Sequence, residues 1–357
     1  MPDPITSPVE RQIAPAEPVT GYHGAVIPAW YSDPVAEHHA VRRAAGVFDF
    51  SFRAKFTARG ADRVRFIQGM VTNDVKALVP GQGTYATMLD TRGHILADLR
   101  IYCVEDQLIL DTDADLLEKV LQSLNHYNIG GRTPLQPLDV VSLAIQGPES
   151  RRVLEGALGI RLPVLAELSH CSTSFSGCPV RIICADSTGE GGYEIWVEGN
   201  EVKSLWDLLL AHGQSHGVHA CGATALETLR IEAGIPKYGA ELAEDVLPLE
   251  AGLVNAISFT KGCYLGQEIV ERARSRGRVN WKLVGLLVDS SIVPARGEKM
   301  LHETKEMGEI TSACLSPTLG RVIAMAYARR EVSEPGSKLT LGSGASVEVV
   351  PLPFYHR

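Results

Sequence analysis

Hydrophobic positions recur along most of this chain at alternating helical and strand spacings, and then, near residue 280, the helical spacing disappears. Ser32-Asp33-Pro34 sets a capping acid before a proline at the first helical position, which predicts a helix through Glu37–Val41 that stops near Gly46. Extended structure begins at Val47–Ser51. Lys55–Arg59 alternates as a strand, and Ala61–Gly69 reads as a helix with Val64, Phe66 and Ile67 inward. Gly81–Leu89 and His94–Cys103 read as strands around the turn Asp90-Thr91-Arg92-Gly93. A strand over Gln107–Asp111 leads to a helix whose Leu116, Leu117, Val120, Leu121 and Leu124 form one face.

The next stretch repeats that grammar. Val140–Ile145, Val180–Cys184 and Gly192–Val197 read as strands, and Val202–Ala211 as a helix. Two such units suggest an α+β body with antiparallel sheets, a diverged duplication without a residue-level repeat. Beyond Val279 come only short strands: Trp281–Val288, Gly308–Ala313, Val322–Ala328, Lys338–Leu341 and Val347–Val350. That is the pattern of a small β-barrel. The expected divisions are a loosely ordered lead-in over 1–20, α+β units over 21–145 and 146–279, and a barrel over 280–357.

Composition narrows the class. The 357 residues suit two or three domains, at about 100–200 residues each. The net charge of −8 provides no global basic field, so duplex nucleic acid is not the expected partner. The seven cysteines include no CxxC pair, which points to a reduced, cytosolic protein and away from a local zinc or iron–sulfur site. No apolar run is long enough to span a membrane. Met1–Thr20, rich in Pro and carrying Asp3, Glu10 and Glu17, reads as neither a signal nor a transit peptide.

Several segments, in consistent order, resemble the T-protein aminomethyltransferases of glycine cleavage. They are Glu37–Arg42 with Ala45–Asp49, Thr72–Val75, Met88-Leu89 through Asp98-Leu99, Ala144–Pro148, Gly192–Ile195, Leu229–Gly234, and Thr311 to Tyr327 in the tail. The resemblance implies two ferredoxin-like α+β units around a central tetrahydrofolate pocket, followed by a barrel. One segment, Lys261-Gly262-Cys263-Tyr264-Leu265-Gly266-Gln267-Glu268, is similar instead to the YgfZ-type folate-binding proteins, which are linked to iron–sulfur cluster maintenance and transfer-RNA modification. T-proteins lack that cysteine.

The resemblance assigns roles to particular residues. Asp98 matches the acid beside the folate N10, although Ala97 stands where the family usually has a second acid. Glu194 is placed against the pterin N–H and NH2. Arg230 suits a pterin carbonyl or a carboxylate, or an ion pair with Glu227 or Glu232. Tyr238 could stack on the ligand, and Lys261 and Tyr264 join the folate contacts. Cys263, preceded by Lys261-Gly262 and with Gly266 nearby, reads as a functional thiol whose thiolate the lysine would favour. Arg272, Arg274, Arg276 and Arg278 alternate at period two, and an extended backbone would gather them on one face for a polyglutamate tail, RNA phosphates or an acidic partner. His38-His39 is structural, since adjacent helical residues point apart.

Three functions follow as expectations. The first is a YgfZ-type folate-binding protein serving iron–sulfur proteins or tRNA-modifying enzymes. The second is a folate-dependent aminomethyltransferase, or a related demethylase, working with a lipoyl carrier protein. The third is a non-enzymatic, folate-gated scaffold.

Overall fold

The computed structural model describes residues 5–6, 18–275, 277 and 279–356. Its body holds two large antiparallel sheets. The first has the strand order Gly83–Leu89, Ile95–Cys103, Leu108–Asp113, Arg53–Ala58, Leu135–Leu138. Period-two alternation gives it two unlike faces. Phe56, Ala86, Met88, Ala97, Leu99, Ile101, Leu108 and Leu110 point one way, into a core closed by Ile67 of helix Arg63–Met70 and by Val120 and Leu124 of helix Leu117–Tyr127. The opposite face carries most of the charge described below.

The second sheet runs His170–Phe175, Cys178–Cys184, Gly192–Val197, Val141–Gln146, Gly46–Asp49, His219–Cys221, and only its last pair is parallel. Helices Ser150–Leu158 and Val202–Gly213 cover one face, burying Val153, Leu154, Leu205, Trp206 and Leu209. Helix Ala223–Glu232 lies against the other, where Leu226 and Leu229 meet Phe48 and Ala144. The two sheets meet through Tyr102 and Ile109 of the first and Ile183 and Trp196 of the second. Tyr102 stands edge-on to Trp196, with ring centroids 5.1 Å apart.

Strand membership crosses the expected division at 145/146. That boundary falls inside Val141–Gln146, and Gly46–Asp49 pairs in the second sheet with that strand and with His219–Cys221. Local periodicity tells that a segment is a strand, and says nothing of the sheet that receives it. Of the lead-in over 1–20, Ile5–Thr6 pairs with Ala25–Pro28, and Val19–Tyr22 forms a hairpin with the same strand. Residues 1–4 and 7–17 lie outside the described residues.

Six strands from Trp281 to Val350 close a barrel. Strand Arg321–Arg329 is buried on both faces. Val322, Ala324, Ala326 and Ala328 fill the barrel, while Ile323 and Met325 pack outward on Ile231 of the body. Glu232 pins the junction: it accepts from His38 at 2.8 Å, from Thr318 Oγ1 at 2.9 Å, and from Arg42 and Ser316. The role read for His38 as structural fits its buried place in this network.

In its described part, the arginine alternation after residue 271 is not a strand. Gln267–Ser275 is a helix that buries Val270 and rests Ile269 on the turn at Gly93. Arg272 bonds Glu268 at 2.6 Å one turn back, and Arg274 lies over the Phe259 ring. The interleaved small residues imitate period two, but burial of one stripe selects the helix. Arg276 and Arg278 lie outside the described residues.

Candidate functional site

The charged face of the first sheet follows from strand register. Asp98, Arg100 and Tyr102 alternate with the core residues Ala97, Leu99 and Ile101. Arg53 lies opposite Asp113, Lys55 opposite Asp111, and Arg100 opposite both Tyr85 and Asp111. Opposite charges on directly paired positions stabilise a sheet. Here they are also buried. Arg53 makes a forked contact with Asp111 at 3.2 and 2.9 Å and reaches Asp113 at 2.6 Å.

A cavity of 420 Å³ opens over this face. Tyr22, His23, Phe50 and Phe52 close one side, Leu226, Arg230 and the segment Ile235–Tyr238 another, and Leu253 with Asn255 a third. Tyr85, Asp98, Arg100 and Asp113 line it from the sheet. Asp98 Oδ2 accepts the Tyr85 hydroxyl at 3.2 Å, while its Oδ1 is buried without a hydrogen-bond partner. Burial raises the Asp98 carboxyl above its ordinary range, and the negative Asp113 adds to this against the pull of Arg53. An under-satisfied carboxylate on a cavity wall can accept a proton or steady a developing positive charge.

Glu194 does not line the cavity. It is fully buried beneath it, with Oε1 accepting from Trp196 Nε1 at 2.7 Å and lying 3.3 Å from Lys55, and with Oε2 accepting from Arg100 at 3.0 Å. Burial opposes its charge, yet Lys55, Arg100 and Arg53 hold the carboxyl down at about 2. Both of its oxygens are engaged, and Arg100 carries its influence to the wall.

Arg230 and Tyr238 do line the cavity. Arg230 pairs with Glu241 at 2.8 Å and with Glu227, and also donates to Ser312, so its ion-pair partners include Glu227 as read from sequence but Glu241 in place of Glu232. The Tyr238 hydroxyl accepts from Lys119 at 2.8 Å. Lys261, Cys263 and Tyr264 stand apart from the cavity wall. The Lys261 ammonium turns inward onto the carbonyls of Gln68 and Val71 and lies 5.0 Å from the Tyr264 ring centroid. Burial lowers that amine to about 8. Cys263 is exposed.

Sequence reasoning did not single out Tyr22, His23, Arg53, Tyr85, Arg100 or Asp113. A signal was present for those on strands: polar residues at every second position, opposite apolar partners, mark a face turned to something other than a core. Nothing local marked His23.

A cavity over the charged face of one sheet, with an unsatisfied acid on its wall, in a two-sheet body with a barrel pinned to it, defines a small-molecule-binding α+β protein. The description "GCVT N-terminal domain" matches residues 10–261, and "Glycine cleavage T-protein C-terminal barrel domain" matches 282–356. The chain belongs to the glycine-cleavage T-protein family. It is 32% identical over 344 residues to an aminomethyltransferase of Geobacillus sp. (strain WCH70), covering 94% of each chain. It is 34% identical to an aminomethyltransferase of Streptomyces coelicolor, covering 95% of this chain and 94% of that one. The crystal structure of glycine cleavage system aminomethyltransferase T from Bartonella henselae superimposes with a TM-score of 0.90 at 24% identity, over 99% of this chain and 98% of that one, so the fold is shared throughout. These relatives favour the transferase alternative and do not support the YgfZ-type subtype that Cys263 suggested. No helix among the described residues is long and apolar enough to cross a membrane.

Proposed function

We propose that this protein is a tetrahydrofolate-dependent aminomethyltransferase that receives its one-carbon unit from a lipoyl carrier protein. The observation that carries the reading is Asp98: a carboxylate with one oxygen buried and unpartnered, on the wall of a cavity that also presents aromatic and aliphatic side chains. The residues fit a folate. A flat heteroaromatic ring suits Phe50, Phe52 and Leu226, and an unpaired buried oxygen suits its N–H groups. Bound tetrahydrofolate would supply the nucleophilic nitrogen. Asp98 would hold or accept its proton, and Glu194 would act at one remove by fixing Arg100 on the wall. Arg230 and Tyr238 border the same space and would orient the ligand.

Purified protein, aminomethyl-loaded lipoyl carrier and tetrahydrofolate are expected to yield methylenetetrahydrofolate, with saturable tetrahydrofolate binding by calorimetry. Binding without turnover removes the transferase reading.

A second reading, a YgfZ-type role in iron–sulfur maintenance, is favoured by one observation: the KGCYLGQE loop leaves Cys263 exposed. Lys261 and Tyr264 would then shape that loop, with the ammonium capping carbonyls of helix Arg63–Met70 and the residue after it. Cys263→Ala is expected on this reading to leave folate binding intact and to lower the activity of iron–sulfur enzymes in cells. Normal activities there exclude it.

A further inference from the structure

Aminomethyl transfer moves two protons. Two nitrogen–carbon bonds form on the folate as the carbon–sulfur and carbon–nitrogen bonds of the aminomethyl group break. The protons shed by the two folate nitrogens end on the sulfur and on ammonia. Asp98 offers one proton-accepting oxygen, which leaves a second acceptor to be found.

The other titratable groups on the wall are engaged. Tyr85 gives its hydroxyl to Asp98 and Tyr22 gives its own to Glu227. Lys237 pairs with Glu227 at 2.8 Å. Asp186 accepts the amides of Thr188 and Gly189, and Glu167 is exposed and accepts that of Asp186. Asp113 is held by Arg53 and His23. His23 differs. Its Nδ1 lies 2.8 Å from Asp113 Oδ2, and its Nε2 has no hydrogen-bond partner among the described residues.

This imidazole is deliberately placed by the chain. His23-Gly24 is the two-residue tip of the hairpin joining Val19–Tyr22 to Ala25–Pro28, with φ of 48° and 82°. Such a turn needs positive φ at both positions, which histidine tolerates better than most side chains. Gly24 is required twice over, because a Cβ there would stand 2.9 Å from the Asp115 amide. That amide donates to the His23 carbonyl at 3.3 Å, which ties the tip to the end of the strand that carries Asp113. The Tyr22 and Phe52 rings flank the imidazole, with centroids 4.7 and 5.8 Å away. Burial works against the Asp113 charge, but Arg53 and His23 hold its carboxyl well below the ordinary range, so it orients the ring as an anion. A proton held on Nδ1 toward that anion would leave Nε2 as the nitrogen free to accept one. His23, Asp113 and Asp115 also bring potential ligand atoms within 4.8 Å of one another, but Arg53 on Asp113 already neutralises that acid.

We propose that His23, oriented by Asp113, is the second proton carrier of this site, taking a proton from an attacking folate nitrogen at Nε2 and returning it to a departing group. This rests on the transferase reading. Its N–H bond forms as the folate N–H breaks, and the imidazole is regenerated when that proton reaches sulfur or ammonia.

The test uses His23→Asn in the full-length protein, because asparagine also adopts the left-handed backbone and keeps the turn. Tetrahydrofolate affinity is expected to stay within about threefold by calorimetry, while turnover falls by about 10²-fold or more. Independently of turnover, the His23 Nε2 resonance in ¹⁵N-histidine NMR, assigned by its loss in the variant, should shift on adding tetrahydrofolate. Variant turnover within threefold of a working wild type, or an unmoved resonance, overturns the proposal alone. A wild type that binds tetrahydrofolate and turns nothing over overturns the transferase reading and the proposal with it.

Discussion

Asp98→Asn is expected to lower the rate of methylenetetrahydrofolate formation by about 10²–10⁴-fold, the usual worth of a positioned proton-transfer group. The amide keeps the shape of the carboxyl and can still accept the Tyr85 hydroxyl, so calorimetric tetrahydrofolate binding should change little. The pH profile carries a further sign. Because the folded site raises this carboxyl, activity that needs the ionised form should fall, on the acid side, at a pH above the ordinary carboxylate range. That acid limb should vanish in the variant. A variant within tenfold of wild type would show that Asp98 is not the group that moves the proton.

The second large effect concerns stability. Glu194→Gln removes the charge that Lys55 and Arg100 share, leaving the buried Lys55 with Asp111, itself paired with Arg53, and Arg100 without its carboxylate. Breaking a buried pair from one side costs about 3–5 kcal/mol, since the orphaned charge stays desolvated. Urea unfolding at pH 7 measures it, and a loss under about 1 kcal/mol would mean the network relaxes freely. The pH dependence has a definite direction. A carboxyl held at about 2, against an ordinary 4.5, contributes stability that is present above 4.5 and is lost as pH falls toward 2. The variant should lose less stability than wild type across that window.

These residues also show what could be read in advance. The strand place of Asp98 was legible because it follows a turn at Gly93 and sits on an alternating strand. The barrel was legible because turn residues separate its strands, although the short Lys299–His302 strand escaped, as did helix Ser150–Leu158. Glu194 was legible as a buried acid in need of partners, but not its partners: Lys55 comes from the other sheet, and no local pattern pairs them. His23 was illegible for the same reason. Its meaning lies in Asp113, brought to it by a hairpin tip docked on a distant strand end. The arginine run after residue 271 misled because alternation survives in a helix whenever small residues fall between long ones, and only the burial of Val270 decides the matter.

The crossing of strands between the sheets has a consequence for biosynthesis. Gly46–Asp49 emerges from the ribosome early, but its neighbours in the second sheet are Val141–Gln146 and, last, His219–Cys221. Translation at about 5–20 residues per second leaves roughly 10–35 s between Asp49 and Cys221. Through that interval the strand containing Val47 and Phe48, buried along its whole length in the folded protein, waits without its partners. The nascent chain therefore cannot complete its N-terminal half as a finished unit, and its dependence on chaperones should be greatest before residue 221 has left the exit tunnel.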